Sequence, residues 1–463
     1  MIARRGGATP ARRAAFEVLR RCFEHDAWAD RAFAAAATRH GLSDRERAQA
    51  QWLAFGAVQR RGTSDALAER LAARPVAELD APVTAALRLG MFELLYSGTA
   101  DHAAVDGAVE LAKGGMRRAG GRRAAGAAGL VNAVLRRAAA GREELLGSLG
   151  DSTPASAALA HSVPAWLAEL WWNELGQDSA RSLLAAVNTP PEIGLRANLL
   201  RADPEALVAE LRAAGEPVER GAGAALLWPR EALVSNGPLG EATRARLESG
   251  ELFAQSRAAQ AAVALLDPQP GERVLDVCSG PGTKTAAIAA RMAGEGELVA
   301  VEQDEGKASQ VVEICARAGA RNVRVEVADA RVADFGGGYD RVLVDPPCSD
   351  LGTLASRPDA RWRKDPTTIE RLRPVQASVL EHSVAALRDG GTLVYSTCTI
   401  SRAENEDLVT TTLGSEAGSA IEADDLGELE PGLASPHDGR FLQTRSDRDR
   451  TAGFFLARFR RRG

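Results

Sequence analysis

From Gly271 onward the chain alternates short apolar runs with helical stretches, and nothing else in the sequence constrains its fold as strongly. Strand candidates are Arg273–Val277, Glu297–Glu302, Arg324–Ala328, Tyr339–Val344 and Gly391–Ser396. Between and after them lie helix candidates at Thr285–Ala293, Lys307–Ala318 and Thr368–Leu387. Runs of this length, separated by helices, make βα units that can bury both strand faces only in a doubly wound, mostly parallel sheet. A further helix is expected over Glu404–Leu413, an acidic, glycine-rich loop over Gly414–Ala434, and a late strand over Gly453–Phe459.

The first third of the chain has a different period. Ala14, Ala15, Val18, Leu19 and Cys22 fall at helical spacing within Ala11–Phe23. Ser43 and Glu46 stand at capping-box spacing ahead of Ala48–Val58. Ala81–Tyr96, Asp106–Lys113 and Gly129–Leu135 are further helices, and Met116–Gly126 reads as a mobile basic loop. No β-type alternation occurs here, so residues 1–148 are expected to form an all-α domain. Residues 152–250 are expected to be a small mixed α/β connecting region, with a helix through Trp166, Trp171 and Trp172, a strand at Ile193–Asn198, and a helix led by Asp203-Pro204. Residues 251–463 then form the larger α/β domain.

At 463 residues the chain is long enough for two or three domains. No run approaches the roughly 18 apolar residues of a membrane span, and the start, Met1-Ile2-Ala3-Arg4-Arg5, lacks the apolar core of a secretory signal. Five cysteines without tight spacing argue against a disulfide framework or a zinc ribbon, so free thiols in a reducing cytoplasm are expected. The net charge of −5 is uneven: residues 1–150 carry 23 Lys and Arg against 16 Asp and Glu, a balance of +7, and the remainder carries −12. A basic helical domain on an acidic partner is compatible with a grip on nucleic acid.

Three turns at the ends of strand candidates carry chemistry-bearing residues. The first, Cys278-Ser279-Gly280-Pro281-Gly282-Thr283-Lys284, opens a helix, and its glycines let the backbone approach an anionic ligand. Glu302 closes the next strand, where an acid can take a ribose diol, and Asp329 follows the third, within reach of an adenine amino group. The loop fits neither the dinucleotide glycine pattern nor a P-loop, which leaves S-adenosylmethionine as the nucleoside cofactor. The second turn, Asp345-Pro346-Pro347-Cys348, fixes a carboxylate and a thiol on a proline-stiffened backbone. The third, Ser396-Thr397-Cys398-Thr399, presents another thiol. Either thiol alone reads as a buried small hydrophobe; two of them beside a cofactor loop suit covalent chemistry on a pyrimidine. Cys22 and Cys315 lie on apolar helix faces and are core candidates, and Cys278 is a lining residue. A thiol adding at C6 makes C5 nucleophilic, an acid near N3 stabilises the developing charge, and a base must then remove the C5 proton.

With these motifs the region from about residue 160 onward resembles the RNA 5-methylcytosine methyltransferases of the Sun family, which are Rossmann-like class I methyltransferases. Leu195-Arg196-Ala197-Asn198, Gln255, Gln260 and Glu404-Asn405-Glu406 match its flanking motifs. The resemblance implies that Cys398 is the nucleophile, that Cys348 assists proton removal and product release, and that Asp345 contacts the cytosine edge beside the cofactor. It also implies that Cys278–Lys284, Glu302 and Asp329 hold S-adenosylmethionine. The exchanged assignment, with the Pro-Cys thiol as nucleophile, is its rival. Ser43-Asp44-Arg45, Leu87-Arg88-Leu89-Gly90, Ala108–Lys113 and Val131–Leu135 resemble the helical RNA-binding domain of the NusB family. The combination resembles the small-subunit ribosomal RNA methyltransferases of the RsmB/Sun type. It implies a monomer, without metal, that acts on small-subunit ribosomal RNA in the cytoplasm; a tRNA methyltransferase and an inactive assembly factor are the alternatives.

Five positions depart from the family pattern, Ser279, Gly280 and Thr283 in the cofactor loop and Asp350 and Ala452 beyond it. Thr283 stands where a glycine is usual and puts cofactor affinity in question. Asp350 replaces a frequent glycine and adds an acid near a polyanion, and Ala452 replaces an acid. Two basic segments, Arg117–Arg123 and Arg357–Lys364 with Trp362, offer phosphate contacts and base stacking, or else a disordered loop and an anchored tryptophan.

Overall fold

The computed structural model describes residues 8–117, 120–221 and 223–463. The N-terminal Met1–Arg5 stretch, and Arg118 within the Arg117–Arg123 segment, lie outside them. The chain divides into two compact units, Met1–Asn188 with Ser356–Arg363, and Thr189–Ala355 with Lys364–Gly463.

The first unit is all helix. Its axis is Ala81–Tyr96, in which every residue from Val83 to Leu95 is buried, including Arg88 and Glu93. Glycine and alanine let neighbouring helices come close: a Cβ on Gly90 would lie 2.4 Å from Leu135 Cδ1. Glu93 is matched by Arg12 at 2.7 Å, because a charge this deep needs a partner. The expected capping box forms at Ser43 and Glu46. Met116–Gly126 is not the expected loop throughout: a helix runs Gly121–Ala140, its alanine-rich face burying Ala124, Ala127 and Val131. Further helices at Pro154–His161, Ala165–Leu175 and Gln177–Ala186 pack in this unit.

The segment Ser356–Arg363 also belongs here, and its side chains are structural. Trp362 Nε1 donates to the Val58 carbonyl at 2.9 Å. Arg361 is fully buried and donates to the carbonyls of Ser162 and Val187 and to Asn188 Oδ1. Arg363 bonds the Ala27 carbonyl and pairs with Asp359. The phosphate-contact and base-stacking role expected of Arg361, Trp362 and Arg363 is therefore replaced by anchorage: unmatched main-chain carbonyls at helix ends take these donors.

The second unit contains two sheets. Four short strands, β1 (Ile193–Ala197), β2 (Val218–Glu219), β3 (Ala232–Ser235) and β4 (Leu252–Ala254), pair antiparallel in the order β2-β3-β1-β4. The larger sheet holds β5 (Arg273–Val277), β6 (Glu297–Glu302), β7 (Val323–Val327), β8 (Tyr339–Val344), β9 (Leu387–Thr397), β10 (Ile421–Ala423), β11 (Leu442–Gln443) and β12 (Phe455–Arg461). Its main path is β10-β12-β9-β8-β5-β6-β7. The five strands from β9 to β7 are parallel, and β10, β11 and β12 close one edge antiparallel. This is a Rossmann-like, mixed sheet, and β5 and β8 flank the point where strand order reverses. Ligands of open α/β sheets bind beyond the carboxyl ends at that point.

Candidate active site

All three turns singled out in the sequence, together with Glu302 and Asp329, follow the carboxyl ends of the parallel strands. Cys278 follows β5, Glu302 ends β6, Asp329 lies two residues beyond β7, Asp345 follows β8 and Cys398 follows β9. Parallel registry brings the β8 and β9 turns together: Val344 pairs with Tyr395 at the last shared position.

The glycine turn is built for a close ligand. Cys278, Gly280 and Gly282 have φ of 60°, 58° and 95°. A Cβ on Gly282 would lie 2.8 Å from Val311 Cα, so only glycine fits there, whereas Gly280 opens on free space. The Glu302 carboxylate braces the turn, accepting from Gly280 N–H and Asp304 N–H, each at 3.0 Å. Ser279 Oγ is buried without a partner among the described residues, as expected of a group that meets its partner on a ligand. Pro281 is exposed at the turn's outer edge, and Asp329 is held bidentate by Arg331, which lowers its carboxyl to about 2. Thr283 begins the helix Thr283–Arg291 without a positive φ, so its backbone conformation does not call for glycine.

Burial pushes the Cys278 thiol up to about 12, which suits a lining residue. Cys22 and Cys315 are buried in helix faces, with their thiols raised likewise to about 12. Beneath the turn, Asp276 is fully buried and accepts from Thr285 Oγ1 at 2.6 Å; burial raises its carboxyl to about 7.

Lys284 and Asp345 form a 2.6 Å ion pair. Burial alone would lower the lysine, but the Asp345 charge and hydrogen bond outweigh it and hold Lys284 above its ordinary value. The other Asp345 oxygen accepts from Ser396 Oγ at 3.2 Å, which aims the carboxylate across the sheet end. The two thiols meet beside it: Cys348 Sγ and Cys398 Sγ are 3.2 Å apart. Cys398 donates to Asp350 Oδ1 at 2.9 Å. The hydrogen bond with Cys348, burial, and the charges of Asp350 and Asp345 hold the Cys398 thiol well above its ordinary range.

A buried polar hub supports the thiols. Glu404 accepts from Ser349 N–H, Ser349 Oγ and Gln376 Nε2, at 2.9, 2.5 and 2.9 Å. Ser349 Oγ and Thr399 Oγ1 are 2.8 Å apart, and Asn405 bonds Thr397 Oγ1 and the Thr399 carbonyl. Glu404 thus ties the Pro-Cys turn to the Thr-Cys turn. Gln376 was not foreseen and has no local signal, since it reaches the hub from a distant helix; Lys364, named in the basic segment Arg357–Lys364, lies at the site paired with Asp350. Cys348, Asp350 and Cys398 also place three ligand atoms within 4.8 Å of one another. The Lys364 ammonium, 3.3 Å from Asp350 Oδ2, makes that cluster unattractive to a cation.

Residues 263–460 match the model of the 16S rRNA methyltransferase RsmB/F family. Residues 9–140 match the NusB family, and 163–227 the ferredoxin-like domain of RsmF/B-like methyltransferases. Ribosomal RNA small subunit methyltransferase B of Escherichia coli is 31% identical over 371 residues, covering 79% of this chain and 81% of the relative. A Synechocystis protein described as a probable ribosomal RNA small subunit methyltransferase B is 33% identical, covering 86% and 87%. Among solved structures, PH0851 shares the fold over 97% of this chain and 98% of its own, with a TM-score of 0.79 at 24% identity. S-adenosylmethionine is the cofactor of this fold, and the glycine turn, the braced Glu302 and the unpartnered Ser279 hydroxyl fit it. No helix of the described residues is long and apolar enough to cross a membrane. With its NusB domain ahead of a Rossmann-like methyltransferase domain, the chain belongs to the RsmB/F, or Sun, family of 16S rRNA methyltransferases.

Proposed function

We propose that this protein methylates C5 of a cytosine in small-subunit ribosomal RNA, through a covalent bond between Cys398 and C6. The observation that carries the reading is the pair of thiols 3.2 Å apart at neighbouring strand ends, beside the Lys284–Asp345 ion pair. One nucleophile and one separate group for the release step are what C5 chemistry requires.

Cys398 is the attacking sulfur. It follows strand β9 directly, and its carbonyl is fixed by Gly352 N–H at 3.0 Å. Attack moves electron density onto C5 and toward N3. Asp345, oriented by Lys284 and Ser396, faces the cytosine edge and accepts from its exocyclic amine, while the Lys284 ammonium beside it offsets the negative charge that develops on the ring. When bound, S-adenosylmethionine supplies an electrophilic methyl group on a sulfonium. After transfer the C5 proton must leave before sulfur and C6 can part. Cys348 stands next to the nucleophile on the stiff Pro346-Pro347 turn and assists that proton's departure. The target base is drawn out of its stack so that a thiol can reach its face. The helical unit, with its excess of Arg, grips the RNA through phosphates.

The test is methyl transfer from labelled S-adenosylmethionine to small-subunit RNA and, separately, to tRNA, followed by bisulfite mapping. A single protected cytosine in the small-subunit RNA is expected. Methylation of tRNA alone, or none at all, contradicts the reading.

A further inference from the structure

Asp350 has no part in the two-thiol chemistry, yet it lies against both sulfurs. Its carboxylate Oδ1 accepts from Cys398 Sγ at 2.9 Å and lies 3.9 Å from Cys348 Sγ. Its Oδ2 is 3.3 Å from Lys364 Nζ. The backbone here is left-handed, with φ 58° and ψ 19°. Glycine takes that conformation freely, and aspartate is among the few other residues that tolerate it. Thr353 pins the turn, with its N–H and Oγ1 both donating to the Asp350 carbonyl. The sequence gives Asp350 the look of an unfavourable extra acid; the fold turns its charge inward, onto the reacting sulfur.

We propose that the Asp350 carboxylate takes the proton of Cys398 as the sulfur attacks C6, and returns it when the sulfur leaves. This rests on Cys398 being the nucleophile. In the forward step the S–H bond breaks, the proton passes to Oδ1, the S–C6 bond forms, and the C5=C6 electron pair moves toward C5 and N3. In the last step the C5 proton leaves to a base, the C5=C6 bond re-forms, the S–C6 bond breaks, and the departing sulfur recovers its proton from Asp350. The cycle closes with one proton released to solvent, as methyl transfer from a sulfonium requires.

The surroundings favour transfer during attack over a standing thiolate. Cys348 and Lys364 face Asp350, while Asp345 and Lys284 act on Cys398. Two carboxylates oppose a full charge on the sulfur, so the thiol stays protonated until the bond to carbon forms. Lys364 orients the carboxylate so that one oxygen faces the sulfur.

The test follows formation of the protein–RNA adduct by the full chain carrying Cys348→Ala, with small-subunit RNA and S-adenosylmethionine, between pH 6 and 9.5. Adding Asp350→Asn should slow adduct formation by about 10²–10³-fold at pH 7, with the deficit narrowing as hydroxide replaces the carboxylate. Asp350→Gly, which the left-handed backbone accepts, should show the same loss even if the asparagine variant fails to fold. Asp350→Glu should recover part of the rate. A cofactor-induced thermal shift equal to the parent's identifies the folded variants. Adduct formation in folded Asp350→Asn or Asp350→Gly at the parent's rate, or a loss unchanged across pH, overturns the proposal. An adduct that persists after Cys398→Ala overturns instead the reading on which it rests, so the two failures are distinguishable.

Discussion

Gly352 and Gly453 meet backbone to backbone: Gly453 N–H donates to the Gly352 carbonyl at 2.8 Å, and a Cβ on Gly352 would fall 1.8 Å from the Gly453 oxygen. The same Gly352 N–H holds the Cys398 carbonyl. A contact between two residues a hundred positions apart thus fixes the placement of the proposed nucleophile. Gly352→Ala must push this junction open. It should lower methyl transfer by about 10²-fold through misplacement of the sulfur, and cost about 2–3 kcal/mol of stability. Steady-state kinetics and urea unfolding of the variant check both figures.

The Lys284–Asp345 pair is largely buried, with side-chain exposures of 14% and 24%. Removing one partner leaves a charge without its counterion. Lys284→Met and Asp345→Asn should each cost about 2–4 kcal/mol, and the double variant less than the sum. A double-mutant cycle measured by denaturant unfolding reads the coupling. Both single variants should also lose methyl transfer, since neither keeps Asp345 charged and aimed.

Asp276 gives the fold a pH dependence of known sign. Its folded carboxyl sits at about 7, above the ordinary carboxyl value of 3.8, so between those values the folded state binds the extra proton. Its contribution to stability is full below about pH 4 and falls away as pH rises through about 7. Asp276→Asn cannot ionise and should gain on the wild type over that window, by at most about 4 kcal/mol. Urea unfolding of both proteins at pH 5 and pH 8 checks the relative gain; a difference independent of pH contradicts it.

Arg361 donates to three acceptors from full burial. Arg361→Met should destabilise the helical unit by about 3 kcal/mol, because the Ser162 and Val187 carbonyls lose their donors. RNA affinity of the folded fraction should stay within about threefold, since no phosphate contact is lost. Thermal unfolding and filter binding separate the two effects.

The sequence made the parallel sheet legible because short apolar runs and helical runs alternate after Gly271, and strand ends then located Glu302, Asp345 and Cys398. Local chemistry also marked Ser43 and Glu46 as a cap and Asp203-Pro204 as a helix start, both present in the structure. What escaped depended on distant partners. The segment with Trp362 and Arg361 left RNA contact and an anchored tryptophan both open, because a basic, aromatic segment looks the same in sequence whether it meets phosphate or its own helix ends. Asp350 read as a defect because neither its left-handed backbone nor the sulfur it faces is visible from its neighbours. The start of the helix Gly121–Ala140, ahead of the expected Gly129–Leu135, was hidden by glycines and arginines that resemble a loop, although its alanines pack as a helix face. The edge strands β10 and β11, three and two residues long, carry too little pattern to stand out from a glycine-rich stretch.

The division of labour between the two sulfurs is tested most directly by trapping. Cys348→Ala, incubated with small-subunit RNA and S-adenosylmethionine and then denatured, should accumulate a covalent protein–RNA complex, because attack proceeds and release stalls. The same chain with Cys398→Ala added should form none. A complex that persists without Cys398, or that requires Cys348, contradicts the assignment of Cys398 as the attacking sulfur.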